Sequence, residues 1–171
     1  MINRRKLEAI LILATTWDKR SVERVTVNFD DLLPLIRECL AAGQSVRIFP
    51  RGVSMMPMLR QGIDSVVLSP VPDRLKKYDL PLYQRVNGDY VLHRIIAAGD
   101  TYTCMGDNQF VPEPGLGHHQ MIALVTAFYR GEKKYTVTGL GYRLYCRFWH
   151  YTRPLRRFWR RGIRWLRRKF I

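Results

Sequence analysis

The spacing of apolar residues predicts two helices in the first 44 residues and another in the C-terminal segment. Apolar side chains recur at helical intervals after Asp30 and Asp31, at Leu32, Leu33, Leu35, Ile36 and Leu40. Either aspartate is a suitable cap, Pro34 fits the first turn and Gly43 is a typical stop. A second short helix is predicted over residues 1–16.

From residue 45 the pattern changes to short β-branched and aromatic runs separated by Gly, Pro and Asp. The predicted strands are 45–49, 64–71, 80–86, 90–97, 101–105, 120–130 and 134–138. Asn87-Gly88 predicts a two-residue hairpin turn with positive φ at both positions, and residues 98–100 predict a second turn. The pattern indicates a mainly β, α+β fold.

The C-terminal segment has an amphipathic pattern that predicts a helix starting near Thr152 and Pro154. Its apolar positions are Leu155, Phe158, Trp159, Ile163, Leu166 and Phe170. Arginines fill the remaining positions, at 156, 157, 160, 161, 164, 167 and 168. Such a face is typical of a helix at an anionic membrane surface, with Trp159, Trp165, Arg160, Arg164 and Arg168 as contact candidates. Docking of the stripe on the domain core, or arginine binding to nucleic acid or an acidic protein, remain alternatives.

Charge is distributed as unevenly as hydrophobicity. The formal net charge is +15, and all 14 acidic residues precede residue 142. Residues 142–171 contain 11 Arg or Lys, which leaves 18 basic against 14 acidic residues in 1–141. The basicity therefore belongs to the tail. We divide the chain into an N-terminal helical segment (1–44), a mainly β domain (45–141) and an Arg-rich amphipathic helix (142–171).

The remaining composition argues against several classes of protein. Cys39, Cys104 and Cys146 are widely spaced, so no disulfide framework, zinc site or cofactor is expected. Glu8 interrupts the short apolar run near the N-terminus, and no run approaches the length of a transmembrane helix. We expect a cytoplasmic protein, peripheral at a membrane, without a cleavable signal peptide.

One serine and one histidine stand out. Ser54 lies between Gly52 and Pro57, directly after the strand predicted at 45–49, where a hydroxyl serves as a turn cap or as a nucleophile. Alternation along 90–97 places His93 on one face with Val91 and Ile95. Taken alone, such a histidine fits a half-buried structural role.

Three segments together resemble the ordered motifs of the signal peptidase I and LexA-type serine peptidases. They are Gly52-Val53-Ser54-Met55-Met56-Pro57-Met58-Leu59, Asp89-Tyr90-Val91-Leu92-His93-Arg94-Ile95-Ile96 and Gly106-Asp107-Asn108. The resemblance covers roughly residues 45–127 and implies a β-ribbon fold of that type. It also implies that Ser54 is the nucleophile. His93 precedes Arg94 where most bacterial members have lysine, as in the signal peptidases of the endoplasmic reticulum and of archaea.

The resemblance assigns further roles. Histidine accepts a proton near neutral pH without the pKa tuning that lysine needs, but benefits from an orienting carboxylate, which the match places at Asp107. Gly106 and Asn108 would complete the site, and the Ser54 N–H would belong to the oxyanion hole. Gly52 stands where many signal peptidases supply a second oxyanion donor from a hydroxyl. Met55 and the other methionines of the motif would pack in the core or line an apolar cleft.

The expected function is therefore a serine endopeptidase that acts on a peptide or protein through Ser54, His93 and Asp107. An alternative is a non-catalytic member that binds an extended peptide by strand addition and is recruited by its basic tail. A third is nucleic-acid binding through the arginines.

Overall fold

The structure is a computed structural model that describes residues 8–12 and 27–160, with side chains from Phe29 onward. Its strands are β1 Glu8–Ile12, β2 Val27–Asn28, β3 Val46–Pro50, β4 Ser65–Ser69, β5 Pro81–Gln84, β6 Tyr90–Leu92, β7 Arg94–Ala98, β8 Tyr102–Met105, β9 Glu113–Leu116, β10 Met121–Arg130 and β11 Lys133–Thr136. Its helices are α1 Phe29–Ala41 and α2 Leu140–Tyr151, with a 3₁₀ turn at His118–Gln120. Residues 153–160 are again helical.

Two antiparallel sheets organise the described part of the chain. In the larger sheet the strand order is β2-β1-β3-β4-β10-β5-β6, and β11 pairs with β10. The smaller sheet has the order β7-β8-β9. This architecture confirms the mainly β, α+β class.

The predicted strand at 90–97 is divided at His93. β6 ends at Leu92 and pairs with β5, whereas β7 begins at Arg94 and pairs with β8 in the other sheet. His93 therefore lies where the chain passes between the sheets, and it is only 2% exposed. This junction positions the histidine of the candidate site.

The helix predicted over residues 1–16 is wrong at residues 8–12, which form β1. Ala9 pairs with Pro50 and Ile12 with Arg47, so β1 supplies main-chain partners to the free edge of β3. Those inter-strand hydrogen bonds are a tertiary effect that outweighs weak local helix propensity. Residues 1–7 and 13–16 lie outside the described residues.

The helix predicted after Asp30 and Asp31 is confirmed as α1. It begins at Phe29, before both aspartate cap candidates, so Pro34 lies in the second turn rather than the first. Gly43, with φ of 73°, ends it, and the Gln44 N–H donates to the Cys39 carbonyl as in a Schellman motif. The buried face of α1 carries Phe29, Leu32, Ile36 and Leu40.

The hairpin at Asn87-Gly88 forms, but with a longer loop than expected. The Arg85 N–H donates to the Asp89 carbonyl and the Gly88 N–H to the Arg85 carbonyl. Gly88 has φ of 87°, whereas Asn87 does not take a positive φ. The loop thus has three residues with glycine in the left-handed position, which needs only one residue with positive φ.

The core has two parts. Under the larger sheet, α1 packs against apolar side chains of β3, β4 and β10, including Ile48, Val66, Leu68 and Val125. A second cluster contains Tyr83, Ile95, Tyr102, Cys104 and Leu116 and is continuous with the smaller sheet. In the sequence, His93 lies between Leu92 of the first cluster and Ile95 of the second, where the chain passes from the larger sheet to the smaller one.

The C-terminal helical region begins earlier than predicted, because α2 starts at Leu140. Thr152 is the C-cap of α2, and the helical segment 153–160 begins directly after it, near the predicted start at Thr152 and Pro154. The Thr152 N–H donates to Phe148 and the Arg156 N–H to Thr152, so helical hydrogen bonding continues past this position. We call residues 140–160 the arm.

Candidate active site

The loop that carries Ser54 is anchored in the core by its neighbours. Met55, Met58 and Leu59 are each less than 5% exposed and belong to the main cluster, and Met55 also lines the cavity beside Ser54, whereas Met56 is 37% exposed. Ser54 itself is half-buried. It lines a cavity of about 380 Å³ together with His93, Gly52 and Asn108. The nucleophile candidate and the base candidate therefore face the same space.

Gly52 has a conformation that favours glycine. Its φ is 108°, a region that side chains rarely adopt, and its N–H donates to Gln61 Oε1 at 3.2 Å. A hydroxyl-bearing residue at this position would strain the backbone although it would meet no atom within 4 Å. The missing oxyanion hydroxyl thus has a conformational reason.

Asn108 donates hydrogen bonds to two consecutive carbonyls of the serine loop. Its N–H donates to the Ser54 carbonyl at 2.8 Å, and its Nδ2 donates to the Val53 carbonyl at 3.1 Å. The Gly-Asp-Asn motif and the serine motif are therefore joined directly by these two hydrogen bonds. Pro57, in the serine motif, is exposed, and the Met56–Pro57 peptide bond is cis.

Gly106 allows the closest approach in the site. A Cβ at this residue would lie 2.7 Å from the Ser54 carbonyl oxygen and 3.0 Å from His93 Nε2. Both atoms therefore surround the position that a Cβ would fill. This places the outward nitrogen of His93 beside the backbone of Ser54.

The other ring nitrogen of His93 faces a carboxylate, and that carboxylate is Glu113. His93 Nδ1 lies 3.1 Å from Glu113 Oε1 and 3.3 Å from the Tyr83 hydroxyl, which itself donates to Glu113 Oε2 at 3.0 Å. A carboxylate only accepts, so in the neutral ring the proton belongs on Nδ1. Nε2 is then free to accept a proton on the side of the cavity.

Glu113 is kept ionised by the groups around it. Arg85 donates to it through Nε at 2.7 Å and through a second nitrogen. Although burial would raise the pKa of Glu113, the hydrogen bonds from His93 and Arg85 lower it to about 2. Burial, together with the Glu113 charge, raises the pKa of Tyr83. Tyr83 therefore remains a protonated donor beside a carboxylate at neutral pH.

Asp107 has a different partner from the one the resemblance assigned. Both of its carboxylate oxygens accept from Arg94, at 2.9 and 2.7 Å, and Tyr145 donates to one of them at 3.0 Å. Asp107 and Arg94 are 1% and 2% exposed. Its expected role as the histidine orienter is corrected, since the carboxylate is occupied by a buried ion pair.

Arg94 connects the smaller sheet to the arm and to the serine loop. Its guanidinium donates to the Tyr142 hydroxyl at 2.6 Å, to Cys146 Sγ at 2.9 Å and to Met58 Sδ at 2.9 Å. Burial alone would lower the pKa of Arg94, but the Asp107 charge raises it well above its ordinary value. Arg94, which follows His93 in the sequence, therefore has a structural role in the site.

The arm supports the Asp107–Asn108 loop, which in turn bonds to the serine loop. Trp149 Nε1 donates to the Asp107 carbonyl at 2.7 Å, and Arg156 donates to that carbonyl at 3.3 Å. Arg160, expected as a membrane or partner contact, donates to both the carbonyl and the side-chain oxygen of Asn108. Trp159 is 69% exposed. Arg164, Trp165 and Arg168 lie outside the described residues.

Sequence reasoning singled out Ser54 and His93 as candidates but did not point to Glu113 or Tyr83. Glu113 lies 20 positions after His93 in the sequence, in Glu113-Pro114-Gly115-Leu116, a segment that has no strand pattern. It becomes β9 because it pairs with β8, Cys104 opposite Glu113. No local sequence pattern points to Glu113, because its contact with His93 depends on the pairing of β9 with β8.

The hydroxyl and the backbone N–H of Ser54 bear on the acid–base chemistry that His93 and Glu113 allow. The Ser54 hydroxyl and N–H have no hydrogen-bond partner among the described residues, and Ser54 and His93 are not bonded to one another. Within the described part of the chain, the hydroxyl is therefore not committed to another acceptor, and the N–H is available to an oxyanion.

Comparison with known proteins identifies no relative of this chain. No family model, no curated protein and no solved structure matches the chain. Among the described residues, no helix has the length and apolar character needed to cross a membrane.

Proposed function

We propose that the protein is a serine endopeptidase of the signal peptidase-like group, with a Ser54, His93 and Glu113 arrangement. The observation that carries this proposal is the placement of His93 between a carboxylate on Nδ1 and the Ser54 loop on the side of Nε2. Nucleophile, base and orienting acid in that order are the logic of serine hydrolases on unrelated folds.

The mechanism follows from the proton positions. Ser54 Oγ attacks the peptide carbonyl carbon while His93 Nε2 accepts the hydroxyl proton. Glu113 stabilises the resulting imidazolium through Nδ1–H, and the Ser54 N–H stabilises the oxyanion. The C–N bond then breaks as His93 protonates the leaving amine, and water releases the acyl group by the same steps in reverse.

The substrate class follows from the shape of the site. β6 is the terminal strand of the larger sheet among the described residues, and Tyr90, Val91 and Leu92 line the cavity beside His93. A terminal strand offers unpaired main-chain groups to an extended peptide. We therefore assign an extended segment of a peptide or protein as the substrate.

The test uses paired substitutions and a peptide library with mass-spectrometric detection of cleavage. Ser54→Ala and His93→Ala should each abolish cleavage, because each removes a group that the chemistry requires. The matched controls Ser45→Ala and His119→Ala, both at exposed positions, should retain it. Melting temperatures of all four variants should stay within a few degrees of the wild type. Full cleavage by Ser54→Ala would refute the proposal.

A non-catalytic peptide-binding function is the second candidate. It is favoured by the unbonded Ser54 hydroxyl and by Gly52, which supplies no oxyanion hydroxyl. Saturable binding of library peptides that are never cleaved, with equal affinity in the wild type and Ser54→Ala, would support this candidate over the peptidase.

A further inference from the structure

The arm carries an apolar stripe on the side that faces away from the domain. Its members are Leu140, Leu144, Phe148, Tyr151, Leu155 and Phe158, each between 56% and 76% exposed. At 3.6 residues per turn these positions fall within about 80° of the helix circumference and extend over roughly 27 Å. A contiguous apolar face of this length indicates an interaction surface.

The opposite side of the arm is already occupied by the domain. Tyr142, Tyr145, Cys146, Trp149 and Arg156 contact Arg94, Asp107 or their immediate neighbours through the hydrogen bonds described above. These inner positions lie half a turn away from the stripe. The stripe therefore cannot turn inward unless those bonds break, which separates it from the alternative that the apolar face docks on the domain core.

The charges beside the stripe favour an anionic surface. Arg143 and Arg147 border it and are exposed. The last acidic residue of the chain is Glu132, so no carboxylate side chain occurs in the arm. An acidic protein would satisfy the arginines but would leave six large apolar side chains in water. A lipid surface satisfies both, since the apolar face enters the acyl boundary while the arginines meet the headgroups.

We propose that the arm docks the protein on an anionic lipid surface through the stripe and its bordering arginines. The arm lies in the plane of the interface, and its inner face continues to hold the Asp107–Asn108 loop. The site is thereby held at a fixed distance from the lipid. This inference does not depend on the peptidase proposal, because it concerns side chains that lie outside the cavity.

The test is sedimentation of the full chain with vesicles. One set contains equal parts phosphatidylglycerol and phosphatidylcholine, and the other contains phosphatidylcholine alone. The stripe variant is Leu144→Gln/Phe148→Gln/Leu155→Gln. Its control is Val86→Gln/Val111→Gln, which changes side chains that are 99% and 75% exposed and lie outside the arm.

The wild type should partition onto the anionic vesicles at least about tenfold more strongly than onto the neutral ones, and less strongly as salt rises. The stripe variant should lose about tenfold or more of that partition, because three apolar side chains no longer enter the interface. The control should stay within about twofold of the wild type. Arg143→Gln/Arg147→Gln should reduce anionic partition toward the neutral level.

Four outcomes would overturn the proposal. They are equal partition onto both vesicle types, an unchanged stripe variant, a soluble dimer that the stripe variant converts to monomer without vesicle binding, and retention on DNA without vesicle binding. The melting temperature of the stripe variant serves as the folding control, and peptide cleavage in solution should be unchanged in it. Loss of vesicle binding with cleavage intact separates this inference from the proposed function.

Discussion

At the scale of single residues, Gly106 sets how closely the serine loop approaches the histidine. Its missing Cβ leaves room for the Ser54 carbonyl oxygen and for His93 Nε2 at distances that a side chain would not permit. One of these neighbours is backbone and the other is a buried ring, so neither has space to move aside. The close approach of Ser54 and His93 therefore depends on the absence of a side chain at residue 106.

Gly106→Ala should lower the catalytic rate by about a hundredfold or more, because a misplacement of about 1 Å in a catalytic site has an effect of this size. Gly99→Ala is the matched control in the preceding turn, where a Cβ would approach no atom closer than 4.0 Å. Cleavage rate and melting temperature of both variants would be measured. Wild-type cleavage by Gly106→Ala would mean that Ser54 and His93 do not act at this spacing.

The same scale shows what the sequence could and could not predict. Ser54, His93 and Gly106 belong to short local motifs, so a comparison of motifs is enough to single them out. The carboxylate was assigned to Asp107 because the motif contains one, yet Arg94 occupies both of its oxygens. Glu113 reaches His93 through strand pairing across the smaller sheet, and no local pattern encodes that pairing.

At the scale of elements, the site lies where three of them meet. β7 brings Arg94, the loop after β8 brings Asp107, and α2 brings Tyr142 and Tyr145 to the same ion pair. Strands with alternating or continuous apolar runs were predictable, whereas β1 and β9 form because a neighbouring edge needs partners. The start of α2 at Leu140 was missed because Gly139-Leu140-Gly141 has no capping side chain.

Asp107→Asn should destabilise the protein by about 3 kcal/mol, because it leaves the buried Arg94 without its counter-charge. Asp100→Asn, at an exposed turn position, should change the free energy of unfolding by less than about 0.5 kcal/mol. Urea titrations of both variants would measure this. Equal stabilities would show that the Arg94–Asp107 pair does not hold these elements together.

At the scale of the whole molecule, the arm has two faces with separate roles. Its inner face bonds to the loop that holds Ser54, and its outer face presents the apolar stripe and its bordering arginines. Most of the net charge of +15 is thus a local property of the C-terminal region, since residues 142–171 contain 11 Arg or Lys and no acidic residue. The chain thus combines a candidate site at the junction of two sheets with the surface that we propose docks on lipid.

The central claim is that Ser54 is a nucleophile activated by His93 and Glu113. It is tested most directly by the rate at which a fluorophosphonate acylates the protein, with the modified residue located by peptide mass. A single adduct on Ser54 is predicted, absent in Ser54→Ala and His93→Ala. It should form about a hundredfold or more slowly in Glu113→Gln, whose side chain no longer holds the imidazole as its charged acceptor. Glu132→Gln, at an exposed position, should react like the wild type. An unmodified Ser54, or equal rates in Glu113→Gln and the wild type, would contradict the claim.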